Sequence, residues 1–165
     1  MRTGVVCDVA ELLTNGKAAI PTLQGVKFSD YRQFDLQRAV DVAGDRLDIF
    51  TGVDEMLLGA LSLGVNGAVG TTYNFAAPLY NSVIDAHFNG QTKGARTGQS
   101  LAVNMITAVV KTCGSSGFKA MMKLAGFDCG PCRLPLTNPA EEQIAELSRR
   151  LDRLDFFKQL FSGKD

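Results

Sequence analysis

The chain has 165 residues, enough for one domain with a sizeable core. Its 17 basic and 17 acidic residues cancel, which argues against nucleic acid or an anionic membrane surface as partner and favours a small molecule or another subunit. No apolar run approaches the roughly 20 residues of a membrane span, the first residues lack the apolar stretch of a signal peptide, and a cytoplasmic protein is expected.

The N-terminal segment carries Asp8 and Glu11 at capping-box spacing, with Val9, Leu12 and Leu13 on one face and Gly16 near the end, so a short helix is expected over 5–17. Ile20 to Asp30 follows as an apolar run that ends in Lys27, then Ser29 and Asp30, both helix N-cap types. This predicts a strand over 21–28 feeding an amphipathic helix over 30–43, with Tyr31, Phe34, Leu36, Ala39, Val40 and Val42 on its apolar stripe. A lysine at a strand's carboxyl end is either a solvated rim residue or, if buried, an amine freed of its proton that can attack a carbonyl.

Leu47 to Thr51 predicts a second strand, Gly52-Val53-Asp54-Glu55 a loop, and Met56 to Leu63 a helix closed by Gly64. Ala68-Val69-Gly70 predicts a third strand, running through Thr71-Thr72-Tyr73-Asn74 into a helix from about 76 to 88. Strand and helix therefore alternate three times, the pattern of parallel βαβ units. The three polar loops follow strands and open on one face, where parallel sheets and (β/α) barrels build their sites.

Beyond residue 91 the strand signal stops, and helices are expected over 92–112, 116–126 and 140–161. The expected organisation is 1–90 as part of a barrel and 91–165 as a helical extension packed on it. The four cysteines, at 7, 113, 129 and 132, do not form a secreted disulfide framework. Cys129-Gly130-Pro131-Cys132 spells a redox motif, yet it sits in a proline-rich connection between late helices instead of at a helix start inside a βαβ unit, which favours plain loop residues. The glycines of 64–70 precede and occupy a strand, unlike a dinucleotide loop. His87 has no Cys or His near it in sequence, so no metal is expected. Asp54 and Glu55 are either helix-start acids or ligands for a polyol.

Taken together in order and spacing, residues 20–29, 52–55, 67–74 and 133–136 resemble the carboxyl-terminal half of the pyruvate-dependent aldolase family that contains N-acetylneuraminate lyase and dihydrodipicolinate synthase. Lys27-Phe28-Ser29 and Gly70-Thr71-Thr72-Tyr73-Asn74 are similar to the sialic acid lyase branch. The resemblance implies an α/β fold, a partial TIM (β/α)8 barrel holding strands six to eight and followed by a C-terminal helical extension. It implies that Lys27 forms an imine with pyruvate or open-chain sialic acid, with no cofactor. It further implies that Ser29, Gly52, Asp54, Glu55 and Thr71 contact the sugar, while Val69 and Gly70 lie beside the pyruvyl group. Thr71 stands where many relatives have serine, and Val53 where some have an aromatic residue. The family's catalytic tyrosine and its carboxylate-binding loop belong upstream of Met1. The expectation is accordingly a truncated lyase, inactive and homo-oligomeric or aggregated when alone, that acts on sialic acid when a complete barrel is present. Another aldolase of the same family, or a non-catalytic half-barrel that binds a full-length partner, is the alternative.

Overall fold

A computed structural model describes residues 7–161, with the side chain of Phe161 left aside. The residues fall into two compact units, one ending at Gly70 and the other beginning at Thr71.

In the first unit, α1 (Val9–Ala19) is capped by Asp8, whose side chain accepts from the Glu11 backbone N–H at 3.1 Å. The cap predicted from the Asp8/Glu11 spacing is thus formed; Val5 and Val6 lie outside the described residues. Leu13 is buried while Leu12 is exposed, so the inner face is narrower than expected. Strands β1 (Gly25–Phe28), β2 (Asp48–Thr51) and β3 (Gly67–Ala68) form one parallel sheet in the order β1-β2-β3. Their register pairs Lys27 with Phe50, Phe28 with Thr51 and Thr51 with Ala68. Side chains alternate along a strand, so Phe28, Ile49 and Thr51 share one face and Lys27, Asp48 and Phe50 the other. The first face is buried; on the second, Lys27 and Asp48 are exposed and Phe50 is half-buried.

Helix α2 (Gln33–Ala43) connects β1 to β2 and packs on β2. It starts three residues later than expected, and neither Ser29 nor Asp30 is its cap. Asp30 instead accepts from the Arg32 backbone N–H at 3.0 Å and closes a turn ahead of the helix. The apolar stripe runs through Leu36, Ala39 and Ala43. Phe34 lies two residues from Leu36, about 200° around the axis, and is exposed, as is Tyr31, which precedes the helix. Both were expected on the stripe; the spacing that buries Leu36 turns them outward.

Arg38 Nη1 reaches Asp8 at 2.9 Å and Asp35 at 3.5 Å, and Arg32 Nη1 reaches Asp35 at 2.8 Å, so two arginines tie the start of α2 to the cap of α1. The Asp8 carboxyl is held below the usual carboxylate range, chiefly by the Glu11 N–H and then by Arg38, and Asp30 likewise by the Arg32 N–H and side chain. Carboxyls lowered in the fold stabilise it above their unfolded pKa and stop doing so as pH falls through the lower folded value. Urea midpoints should therefore hold steady from neutral pH down to about pH 5 and decline below about pH 4. Arg38→Ala should lessen that decline; an unchanged slope would mean that Arg38 adds nothing to what the Glu11 N–H already does for the Asp8 carboxyl.

After β2, a 3-10 turn over Asp54–Met56 leads into α3 (Leu57–Ser62), whose Leu57, Ala60 and Leu61 are buried. The expected third strand over 68–70 is observed over 67–68, and the second begins at Asp48 instead of Leu47.

The second unit is helical: α4 (Tyr73–Phe88), α5 (Thr92–Cys113), α6 (Gly117–Leu124), α7 (Glu141–Arg153) and α8 (Phe156–Phe161). Helix α4, counted with the barrel part in the sequence reading, falls in this unit. It starts earlier than expected, with a break at Ala76 (φ −124°, ψ 20°). Pro78 lacks an N–H and crowds the carbonyl four residues back, which accounts for the break. The hydroxyls of Thr72, the residue before α4, and of Tyr80 within it lie 2.6 Å apart in a buried pair. At Gly98 of α5 an added Cβ would come within 2.7 Å of Val83 on α4, so those helices meet closely there. The single helix expected over 140–161 is two: Asp155 adopts φ 48°, a left-handed conformation that aspartate tolerates, and the chain restarts as α8. Leu147, Leu151 and Phe156 are fully buried on either side of that break.

Candidate functional site at the strand ends

The carboxyl ends of the three strands are tied in line beyond the strands themselves. The Gly52 N–H donates to the Phe28 carbonyl at 2.7 Å, and the Val69 N–H to the Thr51 carbonyl at 2.9 Å. This brings Ser29, Gly52 and the Val69-Gly70 pair to one edge of the sheet, as the alternating pattern predicted.

Gly52 is the position where the first group meets. A Cβ built there would overlap Ser29 Oγ and come within 2.5 Å of Lys27 Cε. The absent side chain is what lets the lysine stem and the serine hydroxyl lie over the strand end. Lys27 itself is exposed. The buried, desolvated lysine considered from sequence is not found: its face of the sheet is the open one, and no layer of described residues shuts it from water. Beside its stem is a shallow recess of about 250 Å³ lined by Gln24, Gly25, Val26, Lys27, Asp48 and Phe50. Phe50, the register partner of Lys27, was not singled out by the sequence; its ring also lies 3.2 Å from where a Gly67 Cβ would stand.

Gly70 is the second close approach. A Cβ there would run into the Asp54 carboxyl, with the Asp54 Oδ2 at 2.5 Å. Asp54 is 6% exposed and sits in the 3-10 turn that also carries half-buried Glu55. Two unforeseen residues shape this edge. Thr51 Oγ1 accepts from the Val53 N–H at 3.4 Å and so steadies the turn that delivers Asp54. Asn66 exchanges bonds with Ile49, its side-chain oxygen accepting at 2.8 Å and its N–H donating at 2.9 Å, and so sets β3 against β2. An asparagine just ahead of a two-residue strand was the available signal.

Val69 is 48% exposed at the end of β3. Thr71 is exposed and opens the second unit, where its carbonyl accepts from the Asn74 side chain at 2.9 Å. The geometry thus groups Lys27, Ser29 and Gly52, and separately Asp54 and Gly70. Among the described residues no group of three or more His, Cys, Asp or Glu could hold a metal ion, and no helix is long and apolar enough to cross a membrane.

The sequence matches the dihydrodipicolinate synthetase family over residues 1–154. The N-acetylneuraminate lyase of Gallus gallus is 39% identical over 155 residues, covering 92% of this chain and 50% of its own length. That of Homo sapiens is 39% identical over 157 residues, covering 93% and 49%. The solved N-acetylneuraminate lyase of Proteus mirabilis superposes with a TM-score of 0.86 at 33% identity, over 94% of this chain and 52% of that one. The chain therefore spans about half the length of the relatives it matches. A parallel sheet with its lysine at a strand end, a match along nearly the whole sequence and close superposition agree: the chain belongs to the dihydrodipicolinate synthetase family.

Proposed function

We propose that this chain carries the imine-forming part of a class I aldolase of the N-acetylneuraminate lyase type, cleaving sialic acid to pyruvate and N-acetylmannosamine. The observation that carries the reading is Lys27 at the carboxyl end of a parallel strand, its stem lodged over Gly52, in a chain 39% identical to the Gallus gallus lyase. In this reading β1, β2 and β3 are the sixth, seventh and eighth strands of a (β/α)8 barrel, and the open face carrying Lys27 is the barrel's inner wall. The protein is read as cytoplasmic and homo-oligomeric.

The Lys27 amine would add to the C2 ketone of pyruvate or open-chain sialic acid and expel water, leaving an iminium that takes up the electron pair when the carbon–carbon bond breaks. Protonation of the resulting enamine and hydrolysis would return pyruvate and the amine. Ser29, Asp54, Glu55 and Thr71 supply hydroxyls and acids of the kind that hydrogen-bond a polyol, with Val69 and Gly70 beside the pyruvyl group. Proton transfer calls for a further group at the reacting carbons. No tyrosine stands on β1, β2 or β3, so turnover is proposed for Lys27 set in a complete barrel, and this chain alone is read as inactive.

Exposure of Lys27 favours a second reading, a non-catalytic half-barrel that binds a full-length partner. Treatment with pyruvate and borohydride followed by peptide mass analysis separates the two. A reduced pyruvyl adduct on Lys27 supports the imine site, and folded protein without one supports the inert half-barrel. Comparing aldehydes in the condensation direction distinguishes sialic acid lyase from another aldolase of the family.

Gly52→Ala provides a graded test. The atoms a new Cβ would meet first, Ser29 Oγ and Lys27 Cε, belong to two exposed side chains, so they can rotate away at a cost of about 1 kcal/mol or less. The amine then leaves its position over the strand end, and the rate of adduct formation should fall about tenfold with little change in thermal midpoint. An unaltered rate would show that Gly52 does not position the lysine.

A further inference from the structure

The connection between α6 and α7 holds two thiols that the aldolase reading leaves unused. Cys129 is exposed, Cys132 is half-buried, and both are free. The four residues from Cys129 to Cys132 are held at every position. Lys119 Nζ donates to the Cys129 carbonyl at 3.3 Å and to the Pro131 carbonyl at 2.7 Å, gathering two of the four carbonyls around one ammonium. The Gly130 N–H donates to Asp128 Oδ1 at 2.7 Å, and the Cys132 N–H to Asn138 Oδ1 at 2.8 Å. Gly130 sits at φ 68°, a left-handed conformation that suits glycine and turns the chain between the cysteines. An open recess of about 240 Å³, lined in part by Lys119, Lys123, Gly130, Pro131 and Asn138, lies beside the loop without reaching either thiol, so access to Cys129 rests on its own exposure.

We propose that Cys129 and Cys132 form a dithiol–disulfide couple that reacts with low-molecular-weight disulfides, with Cys129 as the attacking and Cys132 as the resolving thiol. Exposure assigns the roles: an attacking sulfur must be reached from solvent, whereas a resolving sulfur needs only to reach its neighbour. Cys129 sulfur attacks one sulfur of the small disulfide, forming a mixed disulfide and expelling one thiol. Cys132 sulfur then attacks Cys129 sulfur, closing the protein disulfide and expelling the second thiol. Two protein thiols are oxidised and one disulfide is reduced to two thiols, so hydrogens and electrons balance. Cys129 Sγ lies 3.9 Å from the Phe127 carbonyl and Cys132 Sγ 4.0 Å from the Ser116 carbonyl, so closing the disulfide requires both side chains to turn from these contacts toward each other across a backbone already held in a turn. The sequence context, a loop instead of a helix start in a βαβ unit, argued against a thioredoxin-like enzyme; the proposal concerns a reversible modification site and is independent of Lys27.

The test uses the full chain, reduced and then equilibrated with oxidised glutathione, alkylated and mapped by peptide mass. Exposed Cys7, a lone thiol, is the internal control. The wild type should lose two hydrogens across the peptide containing Cys129 and Cys132 and keep no glutathione there, while Cys7 retains glutathione. Cys132→Ser should instead hold glutathione on Cys129, and Cys129→Ser should leave Cys132 reacting about tenfold more slowly than Cys7. Wild-type protein that stops with glutathione on Cys129, or keeps both thiols reduced while Cys7 is modified, would overturn the proposal.

Discussion

Lys27→Met should abolish the borohydride-trapped pyruvate adduct, lowering it by at least about 10³-fold, to the background of the reagent. The thermal midpoint should stay close to that of the wild type. Methionine keeps an unbranched stem of similar length over Gly52 but has no amine, so only the carbonyl chemistry is removed. Lys27 is exposed and no hydrogen bond or ion pair is seen for it among the described residues, so its replacement falls among surface changes worth within about 0.5 kcal/mol. Lys17 is the informative comparison. It lies ten residues before Lys27 in the same unit, its ammonium donates to the Leu23 carbonyl at 2.8 Å, and its own replacement by methionine should leave the adduct on Lys27 intact. An adduct that persists in Lys27→Met, or that maps to Lys17, would refute an imine site at the strand end even if the family assignment stands.

What could be read from the sequence was local. Asp8 with Glu11 three residues on announced a cap, and the cap is there, because an N-cap needs only its own turn. The alternation that placed Lys27, Gly52 and Gly70 after successive strands survives as a parallel sheet in chain order. The errors arose where a partner decides. Phe34 is as apolar as Leu36, and only the direction of α2 over the sheet turns one inward and the other to water. The break at Asp155 leaves no helix-period signal, since Leu151 and Phe156 are buried on both sides of it. Burial of Lys27 depends on what lies across from its face of the sheet, which no stretch around residue 27 encodes. The two glycines were legible as loop residues, but the side chains that fill their missing Cβ positions come from Lys27, Ser29 and Asp54, remote along the chain or around a turn. Asn66 and Thr51, which fix the strand ends through single hydrogen bonds, look like ordinary loop and strand residues until the register is known.

Gly70→Ala should destabilise the protein by about 2–3 kcal/mol, and this loss should shrink when Asp54 is also replaced by alanine. The new methyl group would overlap the Asp54 carboxyl, which at 6% exposure has little freedom to swing into solvent. Here the contrast with Gly52 is physical: its neighbours are an exposed lysine and serine that can rotate, whereas Asp54 is fixed in a 3-10 turn whose geometry is steadied by Thr51 and by the Met56 N–H donating to the Val53 carbonyl at 3.0 Å. Relief of the clash must therefore come from the backbone of the turn or of the strand end, and both are tied into the sheet by the Gly52 and Val69 N–H groups. Asp54→Ala alone also costs stability through the contacts its carboxylate makes, so the double variant must be judged against the sum of the singles. Urea unfolding of the four proteins gives the coupling, expected at about 1–2 kcal/mol in the sense that the double variant is less destabilised than additivity requires. Additive losses would mean that Asp54 and Gly70 do not share that space. Gly70 would then be required for its own backbone or for a ligand, and the pairing of these two positions at the strand end would be lost as a structural cause.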